Sequence, residues 1–379
     1  MIKSNKKIKV GTMTFHMAHN YGAMLQAYAL ERAISLMGYS CEVIDYRFPH
    51  IDHYNCIWSH RDYMQKEGNN LIGTLKYIKR CLKGGYKKIT PLHNKFDCFM
   101  RKSLKLSERS YFKADLLKEA QYDVIFLGSD QIWNPDLTGG IVPEYFGQYF
   151  DTTKTKLISY AASSGTDCIK AECKETALPL LQKFKKLGIR EESLTQFLKN
   201  DYGLDACTVV DPVFLLERKE WDMLIDDVER RVKEPYLLIY AFQEGQEIYQ
   251  LARRIASEKG LKLVTVSYRE KENLNDMLQL IDCGPKEFVS LIKNADFVCT
   301  TSFHGTAFSV LYEKDFYCIG HPLYSQRNWD LLNMIDMNSR MISSNEDIAE
   351  VRPCNYSEAS MLLAKKRIES LDFIRNALV

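Results

Sequence analysis

The chain has 379 residues, 46% hydrophobic and 26% charged, as expected of a globular protein with two or three cores. Its 51 basic and 49 acidic side chains leave a net charge of +2, which gives no electrostatic case for nucleic-acid binding. No apolar run approaches the ~20 residues needed to span a bilayer.

The N-terminus, Met1 to Lys7, is basic but lacks the continuous apolar stretch of a signal peptide. The eleven cysteines contain no C-x-x-C pair, and several, such as Cys299 and Cys318, sit in apolar strand-like runs. Both features point to a soluble cytoplasmic protein without disulfides. Lys9 to Phe15 reads as the first strand, His16 to Tyr21 as a polar loop, and Gly22 to Met37 as a helix stopped by Gly38. Cys41 to Tyr46 is the next strand, and this β–α–β rhythm argues for a parallel sheet. The basic and aromatic stretch 48–101 reads as an irregular insertion of loops and short helices. Its run from Lys76 to Lys88 is read as a solvated helix face, with contact to acidic membrane lipid as the alternative.

Strands resume at Asp123 to Leu127, Lys156 to Ala161, Leu187 to Arg190 and Ala206 to Val210, with a helix beginning at Glu191. From Glu217 a second unit is predicted. It has a helix at Trp221 to Val232, strands at Tyr236 to Phe242 and Leu261 to Ser267, and a helix between them from Glu247 to Lys259. A helix at Pro285 to Asn294 and strands at Phe297 to Thr301 and Phe316 to Ile319 follow. Ser357 to Val379 has the pattern of one amphipathic helix. The expected architecture is α/β. An N-terminal Rossmann-like domain, 1–215, and a second, 216–345, face a cleft. A helical tail, 346–379, packs back across both. Polar turns follow five of the strands, at His16 to Gly22, Gly128 to Gln131, Ser163 to Gly165, Arg190 and Ser302 to Thr306, where ligands of such sheets bind.

The turn Thr301-Ser302-Phe303-His304-Gly305-Thr306 joins a strand to a helix. Its amides lie at the positive end of a helix dipole, so an anion fits there with His304 beside it as a proton donor. The other reading is a glycine loop capped by a histidine. Arg190 ends a strand and its planar fork suits a carboxylate or phosphate, unless it simply pairs with Glu191 or Glu192. Asp130 is either a base or hydrogen-bond acceptor for a sugar hydroxyl, or a turn cap. Arg327 is a further cation near the same edge. His50, Asp52, His53, Cys56 and His60 match no zinc-binding spacing, so no metal is expected.

Several of these pieces recur together in one family. They are Gly11 to Phe15 followed by Asn20 to Tyr28, Val43 to Arg47, Phe126 to Asn134, Ser159 to Ser163, Arg190 to Ser193, Val210 to Val213, and Thr301 to Thr306. In order and spacing the chain resembles the polysaccharide pyruvyl transferases. The resemblance implies a GT-B-like pair of domains and transfer of a pyruvyl group from phosphoenolpyruvate to a sugar, forming a cyclic ketal in cell-surface polysaccharide synthesis. It ties His304 and Arg190 to phosphoenolpyruvate; with that donor, His304 is the expected catalytic acid and Asp130 the expected catalytic partner of the sugar hydroxyl. Phosphoenolpyruvate would lie on Arg190, Ser302, Gly305, Thr306 and Arg327. The acceptor would lie on Asn20, Tyr21, Gly22, Ser129, Gln131 and Ser163. Where some relatives carry a cation before the motif histidine this chain has Phe303, and Arg327 is the candidate replacement. The donor carries roughly −2.5 to −3 charges near neutral pH, which Arg190, Arg327 and the Gly305 and Thr306 amides would largely offset. No cofactor is expected beyond this donor. A free and a lipid-linked acceptor are both compatible with this reading, and the 48–101 segment would suit contact with the inner membrane face. A nucleotide-sugar-dependent glycosyltransferase and a non-catalytic sugar-binding partner are the alternatives on the same fold.

Overall fold

A computed structural model describes residues 8–47, 86–241, 246–320, 325–343 and 350–379. The candidate metal cluster from His50 to His60 and the basic run from Lys76 to Lys83 lie outside them.

Two wholly parallel sheets organise the chain. The first has the order β3-β2-β1-β4-β5-β6-β7. Its strands are β1 Lys9–Met13, β2 Ser40–Tyr46, β3 Leu106–Tyr111, β4 Val124–Leu127, β5 Lys156–Ala162, β6 Lys186–Ile189 and β7 Ala206–Thr208. The second has the order β10-β9-β8-β11-β12-β13. It is built from β8 Tyr236–Tyr240, β9 Lys262–Val266, β10 Leu278–Leu280, β11 Phe297–Thr300, β12 Asp315–Ile319 and β13 Met341–Ile342. The central strands β4 (VIFL), β8 (YLLIY) and β11 (FVCT) are buried at every position. Helices therefore cover both faces, and the strands read as continuous apolar runs. In each sheet the chain reverses direction beside the first strand, between β1 and β4 and between β8 and β11. Crevices open at such reversals, beyond the carboxyl ends of the strands.

The helices that matter for the site are α1 Tyr21–Leu36, α2 Tyr86–Ser103, α3 Lys174–Leu181, α4 Glu192–Tyr202, α5 Arg218–Leu224 and α6 Gln246–Lys259. They are followed by α7 Pro285–Asn294, α8 Phe303–Leu311, α9 Gln326–Met334 and α10 Ser357–Leu378. An interface between the two sheets' helices is aromatic and buried. The Tyr21 ring of α1 stacks on Phe288 of α7 at 4.6 Å, and its hydroxyl donates to the Cys283 carbonyl at 2.8 Å. Helix α10 reaches both sheets. Ser370 accepts the Val210 N–H at 3.0 Å on one side, and Tyr356, just before the helix, donates to the Lys314 carbonyl at 2.6 Å on the other.

Three local expectations are corrected. The 48–101 stretch is not irregular throughout: α2 is an 18-residue helix, and Leu92, Phe96, Phe99 and Met100 lie on its buried face at helical spacing. The predicted helix Trp221 to Val232 stops at Leu224, and Ile225, Val228 and Val232 pack on the core from the irregular chain that follows. The edge strands β3, β10 and β13 and the helix α9 have no sequence counterpart in the expectation. The edge strands are two to six residues long and only partly buried, so their apolar signal is weak.

Candidate active site

The loops after β1, β4, β5 and β6 of the first sheet meet the helix starts after β11 and β12 of the second. Arg190 follows β6 and is buried, with 3% of its side chain exposed. Its Nη1 donates to Asp211 Oδ2 at 3.0 Å, its Nε donates to Glu191 Oε1 at 3.0 Å, and Asp130 Oδ1 stands 4.0 Å away. The guanidinium lies 4.5 Å from the Phe303 ring centroid. Burial disfavours its charge, but Glu191 and Asp211 outweigh that and hold the proton more firmly than usual. The ion pair with Glu191 considered for this arginine is therefore real. It leaves Nη2 buried without a hydrogen-bond partner.

His304 occupies the first turn of α8 and is 6% exposed. Its ring lies directly over Gly22 at the start of α1, where a Cβ would stand 1.9 Å from Nδ1. Nε2 has no hydrogen-bond partner and lies 3.7 Å from Asp211 Oδ2. Burial pushes the imidazole pKa down, against the opposing pull of Asp211 and Asp130. Arg327, in the first turn of α9, places its guanidinium 5.9 Å from the other side chain in this contact, Phe303. Its Nε is buried and unpartnered, and burial together with Arg190 lowers its pKa. Phe303 thus packs against both guanidiniums.

The start of α8 differs from expectation. Ser302 is the N-cap: its Oγ accepts the Gly305 N–H at 3.4 Å and its carbonyl accepts the Thr306 N–H at 2.9 Å. The Thr306 hydroxyl also donates to that carbonyl, at 3.1 Å. The Gly305 and Thr306 amides are used by the turn itself, so the amides without an intrahelical acceptor are those of Phe303 and His304. Gly305 is not an opening for a ligand either. A Cβ there would lie 2.2 Å from Thr300 Oγ1, so the missing side chain serves helix-to-strand packing.

The six residues expected to hold an acceptor are engaged within the protein. Asn20 caps α1 by accepting the Ala23 N–H at 3.1 Å. Tyr21 is buried in the aromatic interface and Gly22 is the seat of His304, which corrects both assignments: neither can present a group to a sugar. Ser129 donates to Asp211 Oδ2 at 3.3 Å, Gln131 accepts from Asn134 Nδ2 at 2.8 Å, and Ser163 accepts the Gly165 N–H at 2.9 Å. Asp130 closes its own turn in a left-handed conformation, φ 68°, with Oδ1 accepting the Gln131 N–H at 2.9 Å.

Asp211 was missed as a site residue. Its carboxylate gathers Arg190, Ser129 and the Val213 N–H (3.1 Å) and faces His304, while only 2% of the residue is exposed. The signal was an aspartate at the end of a strand in the Val210-Asp211-Pro212-Val213 run, but nothing local says what it contacts. Among the described residues no group of three or more His, Cys, Asp or Glu side chains could hold a metal ion.

Two doubly wound parallel sheets, with a charged cluster between their carboxyl edges, make this a GT-B-like α/β protein. Its fold is similar to that of a UDP-GlcNAc 2-epimerase from Methanocaldococcus jannaschii solved with UDP-GlcNAc and UDP. The two share 11% identity, and the match covers 97% of this chain and 98% of that one with a TM-score of 0.51. UDP-N-acetylglucosamine 2-epimerase from Rickettsia bellii gives the same identity, coverage and TM-score. At this identity the likeness shows the fold alone. No curated protein matches the chain. The profile of the polysaccharide pyruvyl transferases matches residues 20–322, and the chain belongs to that family of transferases.

Proposed function

We propose that the protein transfers a pyruvyl group from phosphoenolpyruvate to two hydroxyls of a sugar, releasing phosphate and closing a cyclic ketal. One observation carries the reading: Arg190 Nη2, Arg327 Nε and His304 Nε2 are all buried, all without a hydrogen-bond partner, and all in one cluster. Buried donors left unsatisfied cost about 1–3 kcal/mol each, and more when charged, so such a cluster is built for a partner that arrives. A small, highly charged anion bearing a carboxylate and a phosphate supplies acceptors for all three.

The charge balance differs from the simple offset expected from sequence. Asp211, Glu191 and Asp130 already face the two guanidiniums. Bringing in a trianion therefore favours proton uptake. His304 is the first group to take a proton, since the anion's field opposes the burial that keeps the ring neutral. Glu191 is the second, since burial already raises its pKa above the usual carboxylate range.

In the reaction His304 Nε2–H delivers its proton to the methylene carbon, and the positive charge develops at the adjacent carbon. A sugar hydroxyl attacks that carbon, and the bond to phosphate breaks with its electron pair leaving on oxygen. The second hydroxyl closes the ring. Of the two hydroxyl protons, one balances the proton now in the methyl group and the other leaves on phosphate. Asp130, at the edge of the cluster, accepts a hydroxyl proton. A positioned proton donor of this kind contributes about 10²–10⁴-fold. Work on cell-surface polysaccharide would place the protein on the cytoplasmic side of a membrane. Among the described residues no helix is long and apolar enough to cross one.

The test is incubation with phosphoenolpyruvate and galactose- or mannosamine-type acceptors, free and lipid-linked. Phosphate release that requires both substrates, and thermal stabilisation by phosphoenolpyruvate alone, are expected. Stabilisation by UDP- or GDP-sugars and none by phosphoenolpyruvate would replace this reading with nucleotide-sugar glycosyl transfer.

A further inference from the structure

A cavity of about 400 Å3 lies beside the charged cluster, between the first turn of α4 and helix α9. That volume falls in the range of small-molecule sites. Arg190, Asp211 and Arg327 belong to both the cluster and the cavity wall, so the two are continuous. The exposed Asn333 and the half-exposed Lys366 border the cavity toward solvent.

The lining has a divided character. Phe214, Phe303, Leu331 and Met334 give it an apolar surface, while Ser193, Thr208, Asp330 and Asn333 supply hydroxyl, carboxylate and amide groups. Asp330 is held in place from both sides: Oδ2 accepts from the Ser193 hydroxyl at 2.8 Å and Oδ1 from Gln326 Nε2 at 2.8 Å. Three cations, Arg190, Arg327 and Lys366, are matched by three carboxylates, Glu192, Asp211 and Asp330. Such a wall carries little net charge away from the inner guanidiniums, so the body of its ligand is neutral. An apolar face opposite fixed carboxylate and amide groups suits a pyranose, whose ring C–H groups rest on hydrocarbon while its hydroxyls meet polar partners.

We infer that this cavity is the acceptor subsite and takes a neutral pyranose. Its ring packs against Leu331, Met334 and Phe303, and its hydroxyls address Asp330, Ser193 and Asn333. The inference rests on the pyruvyl-transfer reading, because Arg190 and Arg327 would then hold the donor at the inner end, next to the sugar hydroxyls. It moves the acceptor away from Tyr21 and Gly22, which are buried in contacts with the helices of the second sheet.

The test uses the full chain and two substitutions that narrow the cavity without touching Arg190, Arg327 or His304. These are Met334→Trp on the half-buried wall and Asn333→Trp at the exposed rim, where folding tolerates a large side chain. Binding of methyl glycosides of galactose and N-acetylmannosamine is followed by saturation-transfer NMR, and phosphoenolpyruvate binding by thermal shift. The expected result is glycoside binding to the unaltered protein, weakened about tenfold or more in both variants, with stabilisation by phosphoenolpyruvate retained. Equal glycoside binding in the variants, or none to the unaltered protein, overturns the subsite. Cavity-dependent glycoside binding without any stabilisation by phosphoenolpyruvate keeps the sugar site and removes the donor reading instead.

Discussion

Replacing Gly22 by alanine tests whether His304 must stand where it does. The new Cβ would lie 1.9 Å from His304 Nδ1, 2.3 Å from Cγ and 2.6 Å from Cε1, so the ring cannot stay. Its escape is hindered, because Nε2 faces Asp211 at 3.7 Å and Phe303 lies edge-on at 5.2 Å. Overpacking of this kind costs about 1–3 kcal/mol. Gly22 lies in the first turn of a helix, where alanine gains up to about 1 kcal/mol of propensity. The net loss of stability is therefore about 0–3 kcal/mol, small enough for the protein to fold. Activity should fall far more, by about 10²–10⁴-fold, the contribution of a positioned proton donor. The assay is phosphate release from phosphoenolpyruvate with acceptor present, read beside a denaturant melt. In an H304A background the Cβ has room, so adding G22A should cost no further activity and should recover stability. Wild-type kcat in G22A, or equal and additive losses in the double variant, would refute the role assigned to the ring.

Three further outcomes are expected. Arg327→Met removes a half-buried guanidinium whose buried Nε lacks a partner, so the melting temperature should hold or rise, while KM for phosphoenolpyruvate rises about 10–100-fold; a fall in both kcat and stability would contradict this. Donor binding should take up protons. His304 is neutral in the free protein because burial lowers its pKa, and the anion raises that pKa in the complex. Affinity should therefore be highest at low pH and fall as pH rises between the free and bound pKa values, by up to about tenfold per pH unit. Calorimetry in buffers of different ionisation enthalpy counts the protons, and zero uptake refutes the assignment. Tyr21→Phe should cost about 1 kcal/mol through the lost hydrogen bond to the Cys283 carbonyl and leave acceptor KM unchanged, since Tyr21 belongs to the packing between the two sheets.

The central strands of both sheets are legible in the sequence, and so are the positions of His304 and Arg190 at strand ends. Their signals are local: runs such as Val124–Leu127 and Tyr236–Tyr240 are apolar throughout, and a polar turn after each strand marks its carboxyl end. The long helix α2 was hidden by its basic and aromatic composition although its buried positions keep helical spacing. Short edge strands such as β13, two residues long, carry too few positions for any periodicity to register.

What the sequence by itself determined was the α/β alternation and the family, because strand and helix periods and motif order are properties of neighbouring residues. The tertiary structure alone decided what each polar residue does. Tyr21 became core by meeting Cys283, 262 residues away, and Gly22 became the seat of a histidine on the other sheet's helix. Asp211 became the hub of the cluster through Arg190, Ser129 and His304. Burial and hydrogen-bond partnership set those roles, and both are fixed by contacts between segments that the chain's local order does not encode.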